Sequence, residues 1–149
     1  EIMKDSRVGA FGVVSFVMLM FVQFSLLSDM APLLLVPALF VMPIIARLMM
    51  TGAIALYPYA REEGMGKAFA KYTDARTVVC AVVITLLLIL PFGLPAVAAL
   101  VVSILFTAFF ANFVTKKLGG LTGDVYGAIT TLNEGLVLLS FLVSTAVLR

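Results

Sequence analysis

Five apolar runs govern what this chain can fold into: Val8–Ser28, Leu33–Tyr57, Thr77–Leu90, Ala96–Thr115 and Val125–Leu148. A helix of about 20 apolar residues crosses the hydrocarbon layer of a bilayer, and four of the runs reach that length. The third is shorter, and "PFGLP" at 91–95 reads as a turn. That run therefore extends to about Leu94 or dips only partway into the membrane. Pro37 and Pro43 inside the second run predict kinks. Charged residues make up 12% of the chain, about half the share usual in soluble domains, and the mean hydropathy is +1.20. A soluble domain of 149 residues has no core large enough to hide so much apolar surface. The expected fold is an all-α integral membrane protein, one multi-pass domain over residues 1–149 with about five transmembrane helices. No soluble domain interrupts the runs and no internal repeat is evident.

Composition removes several chemistries. There is no histidine, which excludes histidine acid–base catalysis and histidine-ligated zinc. The single cysteine, Cys80, lies in an apolar run and forms no intrachain disulfide. A net charge of +2 gives no basic tail for a nucleic-acid partner. Asp29 reads as a solvated turn residue, and the eight methionines as packing. The chain opens at Glu1 with "EIMKDSR", which reads as the middle of a functional segment, so a preceding N-terminal part is expected.

Charge sets the expected orientation. Lys4, Arg7, Arg61, Lys67, Lys71, Arg76, Lys116 and Lys117 are eight of the ten basic residues, and all fall on alternate connections. By the positive-inside rule that face is cytoplasmic, and the protein is expected in the cell (inner) membrane. Three polar segments then meet there: "MKDSRVGAFG" at 3–12, "YAREEGMGKAF" at 59–69 and "KKLGGLTGDVYGA" at 116–128.

The last of these is the richest. Gly119, Gly120 and Gly123 allow backbone conformations that aim several amides at one anion. A helix starting near Asp124 adds the positive end of its dipole, and Lys116 and Lys117 add charge. Thr122 can donate a hydroxyl or cap the helix, and Asp124 can cap it or hold a divalent metal. A plain capped turn with snorkelling lysines is an equal reading. "YAREEGMG", with Arg61, Gly64 and Gly66, and "KDSR", with Lys4, Asp5, Ser6 and Arg7, each read singly as juxtamembrane charge clusters. Together the three segments supply cations, flexible backbone and carboxylates, the mixture that phosphoryl transfer needs.

Two charges lie inside the runs. Arg47 is ten residues before Tyr57, and Glu134 ten residues after Asp124, so both sit about 15 Å deep. Each alone is costly in lipid, and matched depth predicts a buried Arg47–Glu134 pair. Thr131 and Asp124 share Glu134's helix face, predicting a polar stripe that runs inward from the glycine loop and lines a cavity beneath a phosphate site.

"EIMKDSRVGAFG", Arg47 followed by "PYAREEGMGKAF", and "LGGLTGDVYGA" with Glu134 downstream occur in the order and spacing of the cobalamin synthase family, the adenosylcobinamide-GDP ribazoletransferases. The chain resembles the C-terminal, larger part of that family over its whole length. The resemblance implies a multi-pass membrane phosphotransferase that joins α-ribazole, or its 5′-phosphate, to adenosylcobinamide-GDP with release of GMP, and that requires Mg²⁺. It implies that Asp5, Arg7, Arg61 and Asp124 belong to the phosphate and metal site, with Asp5 and Asp124 toward the metal. Lys4, Ser6, Gly64, Gly66, Lys116, Lys117, Gly119, Gly120, Thr122 and Gly123 would line the substrate. The family's upstream acidic motif, of the type "HLDGLADTCDG", has no counterpart here, so activity is expected only once the missing part is supplied. Two other readings stand beside this one. A CDP-alcohol-type phosphotransferase would carry a "DGxxAR…GxxxDxxxD" signature, which is absent. A transporter or non-catalytic membrane subunit would account for Arg47, Glu134 and the prolines, but not for polar chemistry gathered on one face. Oligomeric state is not legible.

Overall fold

A computed structural model of the chain describes residues 10–61 and 65–147. Among these residues six α-helices follow one another: α1 Ala10–Ser28, α2 Pro32–Leu56, α3 Met65–Tyr72, α4 Ala75–Ile89, α5 Leu94–Leu118 and α6 Gly123–Val147. Among the described residues five helical segments are long and apolar enough to cross a membrane, the third because a 3₁₀ turn, Leu90–Phe92, extends α4. Fifteen α-helical and three 3₁₀ residues span about 28 Å, close to a hydrocarbon thickness. The third apolar run is therefore a full span by length, and the partway dip is not needed.

Local chemistry sets the helix ends. Pro32 occupies the first turn of α2, where its missing N–H costs nothing, and α2 stops at Tyr57, just before Pro58. The helix runs on through Pro37 and Pro43. Asp74 caps α4: its Oδ1 accepts from the Thr77 amide at 2.8 Å and from Thr77 Oγ1 at 2.7 Å. Gly119, at φ +77°, closes α5 with its N–H on the Thr115 carbonyl at 2.9 Å.

The centre is α6. It packs most extensively on α2 and then on α5, while α4 leans chiefly on α2 and α1 on α6. The α5 seam is a ladder of small residues, Ala96, Ala99, Ser103, Thr107 and Ala111, all buried. Small side chains let membrane helices approach closely enough for dispersion contacts to replace the hydrophobic drive that lipid removes. Thr107 Oγ1 accepts from Asn133 Nδ2 of α6 at 2.9 Å. α1 buries none of its residues and turns Phe11, Phe16, Phe21 and Phe24 outward, as a lipid-facing helix does.

Helix α3 has no counterpart among the expected spans. "MGKAFAKY" is short and carries two lysines, so hydropathy passes over it. It leaves Phe69 and Tyr72 exposed beside Lys67 and Lys71.

Candidate functional site

The polar end of the bundle is organised by one non-local backbone pairing. The Leu121 amide donates to the Pro58 carbonyl and the Ala60 amide to the Leu121 carbonyl, both at 2.8 Å. This ties the segment leaving α2 to the loop between α5 and α6 as a parallel bridge between Tyr59 and Leu121. Gly120 is the residue that permits it, because a Cβ there would collide with the backbone of Pro58 and Ala60. Leu121 is fully buried beneath the bridge.

The bridge carries Arg61 to the start of α6. Arg61 Nη2 lies 3.5 Å from Asp124 Oδ2, with the side chains 39% and 86% exposed. The contact is long and open to solvent, so its worth to stability is small. Asp124 occupies the second position of α6, where a carboxylate complements the helix dipole instead of capping it. Thr122 stands at the cap position, its carbonyl accepting from the Tyr126 amide at 3.0 Å. Lys116 and Lys117 close the last turn of α5, and Lys117 Nζ lies 4.6 Å from the Phe113 ring centroid. Both lysines are exposed.

The glycines divide between two roles. The amides of Gly119 and Leu121 are spent on Thr115 and Pro58, so the loop is less of an anion nest than its sequence suggested. The first amides of α6, at Gly123, Asp124 and Val125, have no intrahelical acceptor by the geometry of any helix start. Gly123 is open, with nothing within 4 Å of a Cβ built on it. Gly66 is buried against the Tyr59 ring, which a Cβ would strike, so it serves packing. Tyr59 in turn stacks on Tyr126, centroids 6.3 Å apart. Lys4, Asp5, Ser6, Arg7 and Gly64 lie outside the described residues.

The expected Arg47–Glu134 pair is not formed. Arg47 is exposed in a groove between α2 and α4, beside Thr51 and Thr85, whereas Glu134 is on α6. Counting residues gave each charge its depth and left its azimuth open: Val41, Ile45 and Met49 hold the buried face of α2, and Arg47 points elsewhere. The stripe beyond Asp124 is likewise covered in part. Gln23 of α1 donates to the Thr131 carbonyl at 3.0 Å, and the Thr131 hydroxyl returns to Gly127 at 3.1 Å.

Of the six polar side chains buried among the described residues, two are Thr85 of α4 and Thr122; the other four lie on α5 and α6, and the sequence reading passed them over: Ser103 and Thr107 from α5, Thr130 and Asn133 from α6. Spacings of three and four residues marked them as one face of each helix. Nearer the polar end, Asn112 Nδ2 donates to Tyr57 Oη at 3.1 Å, joining α5 to the end of α2.

Among the described residues no three acidic, histidine or cysteine side chains gather into a metal site. Mg²⁺ is often held by one or two carboxylates, with phosphate and water completing its shell. The exposed Asp124 fits one such ligand.

Fold and site define a polytopic helical membrane protein whose cations, helix N-terminus and carboxylate converge at one end of the bundle. The chain belongs to the cobalamin-5-phosphate synthase family, whose model matches residues 1–142. Curated relatives include the adenosylcobinamide-GDP ribazoletransferase of Desulfitobacterium hafniense, 39% identical over 93% of this chain and 57% of the relative. Those of Brevibacillus brevis, 36% identical over 93% and 57%, and of Caldanaerobacter subterraneus, 37% identical over 95% and 57%, are similar. The chain thus spans a little over half the length of these relatives. No solved structure matches it.

Proposed function

We propose that the family-length protein containing this chain is an adenosylcobinamide-GDP ribazoletransferase, acting late in cobalamin biosynthesis. A hydroxyl of α-ribazole, or of its 5′-phosphate, attacks the phosphorus attached to cobinamide. A new phosphodiester bond forms as the pyrophosphate P–O bond breaks, and GMP leaves. The convergence of Arg61, Asp124 and the first amides of α6 is the observation that carries this reading. Such a site needs little covalent chemistry from the protein: it positions the pyrophosphate and offsets charge that develops on it.

In this reading the α6 amides and Arg61 bind phosphate oxygens, while Lys116 and Lys117 raise the local concentration of the anionic substrate. Gly123 leaves the approach to those amides unobstructed. Asp124, with Asp5, would hold Mg²⁺, which supplies Lewis-acid polarisation of the phosphate oxygens. We place this end of the bundle at the cytoplasmic face of the cell membrane, on the distribution of basic residues.

Membranes from cells expressing the family-length gene provide the test. Given adenosylcobinamide-GDP, α-ribazole and Mg²⁺, they should release GMP well above empty membranes, and Arg61→Gln membranes should not. Release no greater than in empty membranes would sink the assignment.

A further inference from the structure

The groove between α2 and α4 has a volume of about 380 Å³ and opens outward. Ile44, Ile84 and Leu88 give it apolar walls, and Arg47 and Thr85 are set into them. Arg47 lies nine residues before Leu56, the end of α2, so it is about 14 Å from the polar end. That is near the middle of a hydrocarbon layer about 30 Å thick, too deep for the guanidinium to reach headgroups by snorkelling. A cation facing lipid at this depth is costly, and such groups pair with an opposite charge or a polar cavity.

No described carboxylate serves. Asp29 follows α1 at the other end of the bundle, Asp74 caps α4, and Asp124 faces Arg61. Glu134 sits on α6, and no ion pair joins it to Arg47. The partner therefore comes from outside the described residues, at mid-membrane depth, and from an apolar element able to lie between α2 and α4. The curated relatives are longer than this chain, which covers 57% of each, so roughly two-fifths of a family-length protein is available to supply it.

We propose that a membrane-spanning helix from that remaining part seats in the α2–α4 groove and sets an Asp or Glu carboxylate on Arg47. The guanidinium binds the carboxylate through two parallel N–H donors, and the Thr85 hydroxyl, in the groove wall, donates to it as well. The groove is then an internal seam of the complete enzyme. Chain length in the relatives and the placement of Arg47 carry this proposal, and it does not depend on the reaction catalysed.

The test uses the family-length protein in native membranes, with photoreactive p-benzoylphenylalanine at Ile84 and a protease site engineered between this chain and the remaining part. After irradiation and cleavage the two parts should stay joined, through a peptide with an Asp or Glu inside an apolar run. Arg47→Glu should lower the yield at least fivefold, Arg47→Lys should retain it, and changing the mapped acidic residue to Lys in the Arg47→Glu protein should restore it. A product joining two copies of this chain, or no product between the parts, overturns the proposal. An undiminished yield in Arg47→Glu, or no rescue by the reversed charge, overturns it too.

Discussion

The Cβ that Gly120 lacks would lie 2.6 Å from the carbonyl oxygen of Pro58 and 2.8 Å from the Ala60 nitrogen. Both neighbours are backbone, tied to Leu121 by hydrogen bonds, so neither can swing aside as a flexible side chain would. Gly120→Ala should therefore cost about 1–3 kcal/mol, the range for forcing a methyl into a packed site. Thermal unfolding in detergent measures it. Gly123→Ala, where nothing lies within 4 Å, should leave the melting temperature nearly unchanged.

Arg61 and Asp124 separate stability from activity. Their contact is 3.5 Å long and well exposed, so Arg61→Gln and Asp124→Asn should each shift stability by less than about 1 kcal/mol. On the proposed function, Arg61→Gln should lower the rate of GMP release about 10²-fold, as loss of a preorganised charge donor does. Asp124→Asn should be tolerated if the carboxylate only complements the helix dipole, and should abolish Mg²⁺-dependent turnover if it holds the metal. Turnover measured across a Mg²⁺ titration discriminates the two.

The buried Thr107–Asn133 hydrogen bond is open to a double-mutant cycle. Asn133 Nδ2 also donates to the Ile129 carbonyl at 2.8 Å, while its Oδ1 has no protein partner. Replacing both residues by apolar ones of similar shape, Thr107→Val with Asn133→Leu, should be nearly neutral, because no polar group is then left behind. The coupling between the two changes should be about 0.5–2 kcal/mol, the range for interhelical hydrogen bonds in membranes. Unfolding in a denaturing detergent mixture reads it out.

Asp74 should make the start of α4 sensitive to acid. The Thr77 amide, and then the Thr77 hydroxyl, hold its carboxyl below the usual aspartate range. A depressed folded value means that the stabilisation is present above the unfolded value, about 4, and is lost as pH falls through the lower folded one. Hydrogen-exchange protection at the start of α4 should drop only in that acid window. Asp74→Asn should keep the cap and remove the pH dependence, and Asp74→Ala should lose protection at every pH.

Much of the architecture was legible because lipid imposes a simple demand: a span must be apolar and of fixed length. The end of α1, both ends of α2 and the start of α6 fall within a residue or two of the hydropathy boundaries, and α5 runs three residues further, through Lys116 and Lys117. Helix α3 was not legible, since eight residues with two lysines resemble any polar loop. The gathering of Arg61 and Asp124 at one end followed from sidedness alone. Their contact did not, because it depends on the pairing of Tyr59 with Leu121, far apart along the chain. The Arg47–Glu134 expectation failed for a related reason. Sequence spacing measures height along a helix well, and gives the direction a side chain faces only once the packing of α2 against α4 and α6 is known.

The Tyr59–Leu121 bridge also has a mechanical consequence. Two 2.8 Å backbone hydrogen bonds clasp the outlet of α2 to the inlet of α6, so these helices cannot slide past each other without opening the clasp. The backbone at Arg61 must therefore travel with the start of α6, while the exposed 3.5 Å contact between the Arg61 and Asp124 side chains adds little to that coupling. On the proposed function, whatever motion accompanies turnover falls to elements outside the clasp, and this end of α6 works as an anvil and not as a jaw.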